Sequence, residues 1–312
     1  MTGQVIQADG AAWELPALTG WELRWTQGLP CDSFAVRFAA TALDAARLQK
    51  AVRFRAVENG TVWFTGVVDE YEIALGPSGL TGTVTGRGMA ALLLDNEAGT
   101  AEYDRAQLEQ IVAEYVSPFG IALGEHIALP ALTGFGVDSG DSCWAAVYGF
   151  ARWAGGVMPR FDTQGRLVLL PDGAGKQWRL EDGAPVLEAV FTDRRYGVIS
   201  EIVEHNRSTG RRRVVQDKAL IAEGGQCRRV MSVYSKTAHR ASARTAEQAM
   251  ALSAMDRRVL ELTLPVMTEA MPGDSVSVTL EKMGVTGRFI VAEKQAALTG
   301  QGLRCTLSLR TW

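Results

Sequence analysis

The sequence is poor in the residues that bind metals and form disulfides: 312 residues contain only 4 cysteines and 3 histidines. Cys31, Cys143, Cys227 and Cys305 stand singly, without the close pairs that zinc ribbons or redox motifs need, so four buried free thiols are expected. His126, His205 and His239 are too far apart in sequence to form a metal pair on one helix. Charge of either sign is not in excess: 32 Lys and Arg face 35 Asp and Glu, a net charge of -3, so the chain as a whole lacks a nucleic-acid signature. No run reaches the roughly 20 apolar residues that span a bilayer. The start, Met1-Thr2-Gly3-Gln4, lacks the basic-then-apolar order of an export signal, and synthesis and folding in the cytoplasm are expected. A phosphate loop, dinucleotide fingerprint, paired-histidine zinc helix and nucleophile elbow are all missing from the sequence.

Glycine is plentiful, with 33 residues scattered between short β-rich runs, as turns in a many-stranded protein require. An apolar content of 47% over this length supports more than one core, hence two or three domains. Up to about Gly99 the pattern is strand and turn. Trp21-Glu22-Leu23-Arg24-Trp25 and Phe34-Ala35-Val36-Arg37-Phe38 alternate, placing their large apolar residues on one face. Val52 to Val57, Asn59-Gly60 and Thr61 to Val68 make a hairpin, because Asn-Gly suits the left-handed turn that joins twisted strands. Glu70 to Leu75 and Leu80 to Thr85, joined by Gly76-Pro77-Ser78-Gly79, extend a meander able to close into a small barrel, and Met89 to Leu94 adds a helical turn packed against its end.

After Gly99 the period changes. Leu108, Ile111, Val112, Tyr115 and Val116 predict an amphipathic helix over 104–116 capped by Asp104. Trp144, Val147, Tyr148 and Ala151 predict a second over 142–154, ended by Gly155-Gly156. Val157 to Phe161 and Arg166 to Leu170 form a hairpin that receives both helices. From Pro171 the chain returns to β: a hairpin with strands 198–204 and 211–215 and a basic tip, a helix opened by the Thr245-Ala246-Glu247-Gln248 capping box and running to about Arg257, and strands at 259–264, 275–280, 288–293 and 303–309. The expected architecture is mainly β with an α+β insertion: two β-barrel-like domains, 1–99 and 173–312 (the latter with one helix), flanking a small α+β domain, 100–172.

Candidate chemistry is thin. Gly82-Thr83-Val84-Thr85-Gly86-Arg87-Gly88 loosely mimics a phosphate loop but lacks the Lys-Ser/Thr step, and reads as a tight turn. In Asp138-Ser139-Gly140-Asp141-Ser142-Cys143 a nucleophile or calcium loop is weaker than helix capping, since calcium needs more regularly spaced oxygens. Glu125 and His126 have no orienting partner nearby and read as a surface loop. Arg211-Arg212-Arg213, with Arg194-Arg195 and Arg228-Arg229, could meet an acidic partner or passing DNA, but interspersed Glu201, Glu204 and Asp217 favour a solvated hairpin end. Trp13, Trp21, Trp25, Trp63, Trp144, Trp153, Trp178 and Trp312 read as core or subunit-interface anchors before sugar platforms. No catalytic, cofactor-binding or metal residue is assigned, and no cofactor is expected.

Several motifs occur in an order that resembles the late-control D family of phage tail proteins, the baseplate hubs that include contractile-tail hubs and defective-prophage relatives. They are Trp63-Phe64-Thr65-Gly66-Val67-Val68-Asp69; Gly86-Arg87-Gly88 with Ala90 to Asp95; Asp141 to Trp153 with Gly155-Gly156 and Phe161 to Leu167; and Gly287-Arg288-Phe289-Ile290-Val291 with Leu303 to Leu309. The resemblance implies a non-enzymatic structural subunit of the virion tail. Its homotrimer would present six similar barrels to a six-fold tail tube. The implied partners are itself, the tube or a tube-initiator protein, the central spike, and tape-measure and baseplate wedge proteins, with no membrane and DNA only as passing cargo. The alternatives are a cell-wall hydrolase, which would need paired carboxylates in a cleft, and a receptor- or glycan-binding tail protein.

Overall fold

The computed structural model describes residues 1–28, 32–77, 79–233 and 239–311. Cys31, Ser78 and Trp312, read above as a buried thiol, a turn residue and an aromatic anchor, lie outside the described residues.

The chain opens with β1 (Thr2–Gln7), β2 (Ala12–Glu14), β3 (Leu18–Thr26), β4 (Ser33–Ala39), α1 (Ala42–Leu48), β5 (Ala51–Glu58), β6 (Thr61–Gly76) and β7 (Gly79–Gly88). The alternation of β3 and β4 buries Trp21, Leu23 and Trp25 with Phe34, Val36 and Phe38, and Phe34 stacks on Phe54 with ring centroids 4.1 Å apart. Asn59 and Gly60 both take positive φ, 50° and 79°, as a two-residue hairpin turn demands. Two readings change. The strands expected on either side of Asp69 are one strand, β6, whose pairing with β7 shifts between Val68 and Glu70, a bulge that breaks the period of two. The glycines from 82 to 88 lie within β7 rather than in a turn. A Cβ on Gly82 would overlap the Phe38 ring, and one on Gly86 would overlap the Val67 carbonyl oxygen and come 2.6 Å from Phe34. Glycine is therefore set there by rings lying flat across the strand.

The middle holds α2 (Ala90–Leu94), β8 (Ala101–Ala106), α3 (Leu108–Tyr115), β9 (Leu123–His126), β10 (Leu132–Val137), α4 (Cys143–Gly155), β11 (Arg160–Phe161) and β12 (Leu167–Leu169). The helix expected from Asp104 begins at Leu108: residues 101–106 form a strand antiparallel to β10, and Gln107 with Gln110 supplies the capping box. Leu108, Ile111 and Tyr115 of α3 pack on Trp144, Val147, Phe150 and Ala151 of α4. Ala90 and Leu93 of α2 join this core instead of closing the preceding strands. The β11–β12 hairpin forms as expected, and β12 also pairs in parallel with β9.

The rest comprises β13 (Gln177–Glu181), β14 (Glu188–Asp193), β15 (Glu201–Asn206), β16 (Arg212–Gln216), α5 (Lys218–Ala222), β17 (Arg228–Val233), β18 (His239–Arg240), α6 (Ala246–Ala254), β19 (Arg258–Leu264), β20 (Ser275–Leu280), β21 (Val285–Thr299) and β22 (Gly302–Thr311). The β15–β16 hairpin gains β17 in parallel on its other side, forming a separate small sheet. Ala246 and Met250 of α6 pack with its Ile202. β18 reaches back to the middle and pairs with β10, where Trp153 Nε1 donates to the Arg240 carbonyl at 2.9 Å.

The strands from the two ends of the chain share one connectivity. Taken in chain order, β1, β3, β4, β5, β6 and β7 lie in space as β3-β4-β7-β6-β5-β1, and β13, β14, β19, β20, β21 and β22 lie as β14-β19-β22-β21-β20-β13. In both groups the order is second, third, sixth, fifth, fourth, first. The last hairpins match residue for residue: Leu75 faces Leu80 as Leu298 faces Leu303, and Gly76 faces Gly79 as Thr299 faces Gly302. The β21 register shifts between Val291 and Glu293, in the place equivalent to the β6 bulge. One difference is that β1 runs antiparallel to β5 whereas β13 runs parallel to β20. Pairing of β3 with β21 fuses both groups into one continuous sheet.

Candidate assembly interface

The seam between the two strand groups joins buried aromatic rings to a buried charge. Across it Trp21 faces Leu298, Leu23 faces Ala296 and Trp25 faces Lys294. Lys294 is fully buried, its Nζ 4.6 Å from the Trp25 ring centroid and 4.8 Å from that of Trp63. Its ammonium also donates to the Thr268 carbonyl. Burial pulls its pKa down to about 8, because removing the ammonium from water disfavours the charged form. Arg24 grips Glu293 with two hydrogen bonds of 2.7 and 2.8 Å on the other face.

Beside the seam, Arg310 Nη2 donates to Gln27 Oε1 at 2.9 Å and to Asp172 Oδ2 at 2.8 Å, while Gln27 Nε2 donates to Asp172 Oδ1 at 2.6 Å. This closed triangle ties the end of β3 and the last strand to the segment that leaves the middle of the chain. Nearby, Asp32 accepts from the Thr26 backbone N–H at 2.6 Å and from its hydroxyl at 3.1 Å. Burial nevertheless pushes its carboxyl up to about 7.

Among the open strand edges of the described residues, two belong to strands equivalent to those of the seam. β14 ends the long sheet, pairing with β19 on one side only. Its Val190 and Phe191 are 43% and 38% exposed. The outer half of β6, from Asp69 to Gly76, pairs with β7 alone, since the pairing of β6 with β5 ends at Val67, opposite Arg53. Leu75 there is 81% exposed and Tyr71 is exposed beside it. Unpaired edges bearing apolar side chains are templates for another strand.

The residues singled out in the sequence fall elsewhere. Ser142 caps α4, its Oγ accepting from Ala145 N–H at 3.1 Å, and Asp141 accepts from the Asp138 N–H at 3.0 Å, the capping role expected of this run. Glu125 and His126 sit exposed on β9, a strand rather than the expected loop, and His126 Nδ1 lies 2.9 Å from the Gly124 carbonyl. Arg213 bridges Glu204 at 2.7 Å and Glu247 at 2.9 Å, and Arg228 pairs with Glu201, so acidic neighbours hold much of the basic hairpin. Trp21, Trp25 and Trp144 are core residues, and Trp178 Nε1 donates to Asp274 Oδ2 at 3.0 Å. Lys294 and the Arg310 triangle were missed. The signal for Lys294 was hidden by the bulge before Glu293, which moves the inward phase from odd to even positions. Among the described residues no group of three or more His, Cys, Asp or Glu could hold a metal ion.

Residues 90–170 match the family model for the second domain of gp44-like baseplate hub proteins. This chain resembles baseplate hubs. The match covers the middle unit, where α3, α4 and the β11–β12 hairpin lie. Over 99% of its length the chain shares the fold of a tail protein from Neisseria meningitidis MC58, with 17% identity, 96% of that chain covered and a TM-score of 0.78. The 43 kDa tail protein of prophage MuSo2 from Shewanella oneidensis aligns at 18% identity over 99% of this chain and 96% of that one, with a TM-score of 0.73. An E. coli type VI secretion component, described as structurally similar to T4 tail proteins gp27 and gp5, aligns at 12% identity over 95% of this chain and 73% of its own, with a TM-score of 0.58. No curated protein matches.

Proposed function

We propose that this chain is a structural hub subunit of a phage-type tail baseplate, of the late-control D kind, joining the tail tube to the central spike as a homotrimer. The observation that carries the reading is the repeated six-strand connectivity: one chain holds two equivalent β units, so three copies offer six-fold repetition from three-fold symmetry. The gp44-like match in the middle and the tail-protein fold support it. The division 1–99, 100–172 and 173–312 goes with this reading. The partners are the tube or its initiator above and the spike below, with tape-measure and wedge proteins around them and DNA passing through. Its work is binding rather than catalysis, and its place is the baseplate of the virion tail.

Electron microscopy of purified tail particles carrying a gold label on this subunit tests the proposal. The label should sit where tube meets spike; label on fibres or scattered along the tube would refute it. Clearing of peptidoglycan in a zymogram, or glycan binding by a lasting monomer, would favour the hydrolase or receptor reading instead.

A further inference from the structure

We infer that β14 of one copy pairs antiparallel with the outer half of β6 of the next, in the register that β3 and β21 already use inside the chain. The inference rests on the trimeric reading above and names the surface that would close the ring.

The strands β3, β4, β6 and β7 share connectivity and register with β14, β19, β21 and β22, so positions in the one set have equivalents in the other. The β6–β7 and β21–β22 hairpins align from Gly76 with Thr299 back through Leu75 with Leu298 to the two bulges. The β3–β4 and β14–β19 pairs align through their third strands, which makes Trp21 equivalent to Ala189, Leu23 to Phe191 and Trp25 to Asp193. In the seam the second strand of the first group pairs with the fifth strand of the second. The corresponding pair in the opposite sense, the second strand of the second group with the fifth strand of the first, is β14 with β6. Within one copy these two edges remain open; between copies they meet head to tail.

Transferring the seam register sets Leu75 opposite Ala189, Ile73 opposite Phe191 and Tyr71 opposite Asp193 on one face. On the other it sets Ala74 opposite Val190, Glu72 opposite Thr192 and Glu70 opposite Arg194. The chemistry agrees. Apolar side chains meet at the end of β6 near its turn, where Leu75 and Phe191 are otherwise exposed. Glu70 and Glu72 lie on the same face as Arg194, with Glu70 directly opposite it. Direct cross-strand neighbours have Cβ atoms about 5 Å apart, whereas a shift of two residues opens the gap to about 7–8 Å. The contact is heterologous, so it does not pair two copies face to face, and with a three-fold rotation it closes into a ring.

The test places cysteines at Ala74→Cys and Val190→Cys in the full chain, with Ala74→Cys and Thr192→Cys as a control shifted by two, and the unmodified chain as a control for its native thiols. Mild oxidation followed by non-reducing electrophoresis, with mass in solution by ultracentrifugation, reads the outcome. The in-register pair should give covalent dimers and trimers, and the shifted pair at least tenfold less. Each single variant alone should give none, while a mixture of the two should give dimers. As a second readout, Glu70→Arg or Arg194→Glu should weaken the trimer at least tenfold, and the two together should restore it. A trimer that forms without the in-register crosslink overturns the edge pairing and leaves the trimeric hub standing. Dimers from a single variant indicate a two-fold contact and overturn the ring. A monomer that never crosslinks at high concentration overturns both.

Discussion

Replacing Lys294 with Met tests whether the ammonium beneath the seam is held against its own solvation. Met keeps most of the stem volume and removes the charge. The folded pKa of about 8 lies below the ordinary 10.5. Folding therefore disfavours the charged form, and the unfolded chain binds more protons between those two values. The penalty is complete below about pH 8 and fades as pH rises toward 10.5, so the native protein gains stability across that window. The gap corresponds to about 3 kcal/mol. Opposing it, Met loses the bond to the Thr268 carbonyl and the cation–π contacts with Trp25 and Trp63, each on the order of 1 kcal/mol. The net change at pH 7 is thus a small difference, whereas the pH dependence isolates the buried charge. Urea midpoints for both proteins, followed by tryptophan fluorescence at pH 7, 8.5 and 10, should show any advantage of Lys294→Met shrinking by about 2–3 kcal/mol as pH rises. Parallel stability curves between pH 7 and 10 would refute the reasoning.

Other expectations follow from the same geometry. Gly86→Val should destabilise by more than about 3 kcal/mol, because its Cβ overlaps the Val67 carbonyl oxygen and Phe34, while Gly99→Ala, with open space around it, should change stability by less than about 1 kcal/mol; thermal melts compare them. Arg310→Leu leaves Gln27 and Asp172 without their shared donor and should lower stability by about 2–3 kcal/mol in urea titration, with Asp172→Asn milder. Ser142→Ala removes the α4 cap and should lower stability by about 1 kcal/mol, with Ser142→Thr retaining most of it. Asp32, raised to about 7, works in the opposite pH sense to Lys294 on going from acid to neutral. Its charged form is disfavoured by folding, so its destabilisation grows as pH rises from 3.8 to about 7, and Asp32→Asn should gain on the native chain over that range in melts at pH 4 and 7.5.

Much of the fold was legible where one face of a strand is buried, because burial imposes the period of two. Trp21 to Trp25, Phe34 to Phe38, and the strands at 259–264, 275–280 and 303–309 were read correctly for that reason. Bulges defeated the reading: a one-residue insertion at Asp69 split β6 in two, and the equivalent insertion hid Lys294. β14 went unread because Glu188-Ala189-Val190-Phe191-Thr192-Asp193 has no buried face among the described residues to impose alternation. The candidate interface was thus least visible where it is open. Pairings distant in sequence, such as β18 with β10, leave too short a pattern to detect.

The equivalent positions in seam and edges differ in a way that their histories of exposure explain. The seam forms once, inside one chain, and its inner face can be apolar: Trp21, Leu23 and Trp25 lie against Leu298, Ala296 and the stem of Lys294. Edges that pair between copies spend time in water before assembly. A row as apolar as the seam would recruit any strand, including a second identical edge. Asp193 stands where the seam has Trp25, held by Arg257 at 3.2 Å, and Tyr71 stands where the seam has Lys294. Glu70 and Glu72 on one edge repel a copy of themselves but suit Arg194 on the other. Charge at these positions therefore selects the head-to-tail contact, while Leu75, Ile73 and Phe191 supply the burial that holds it.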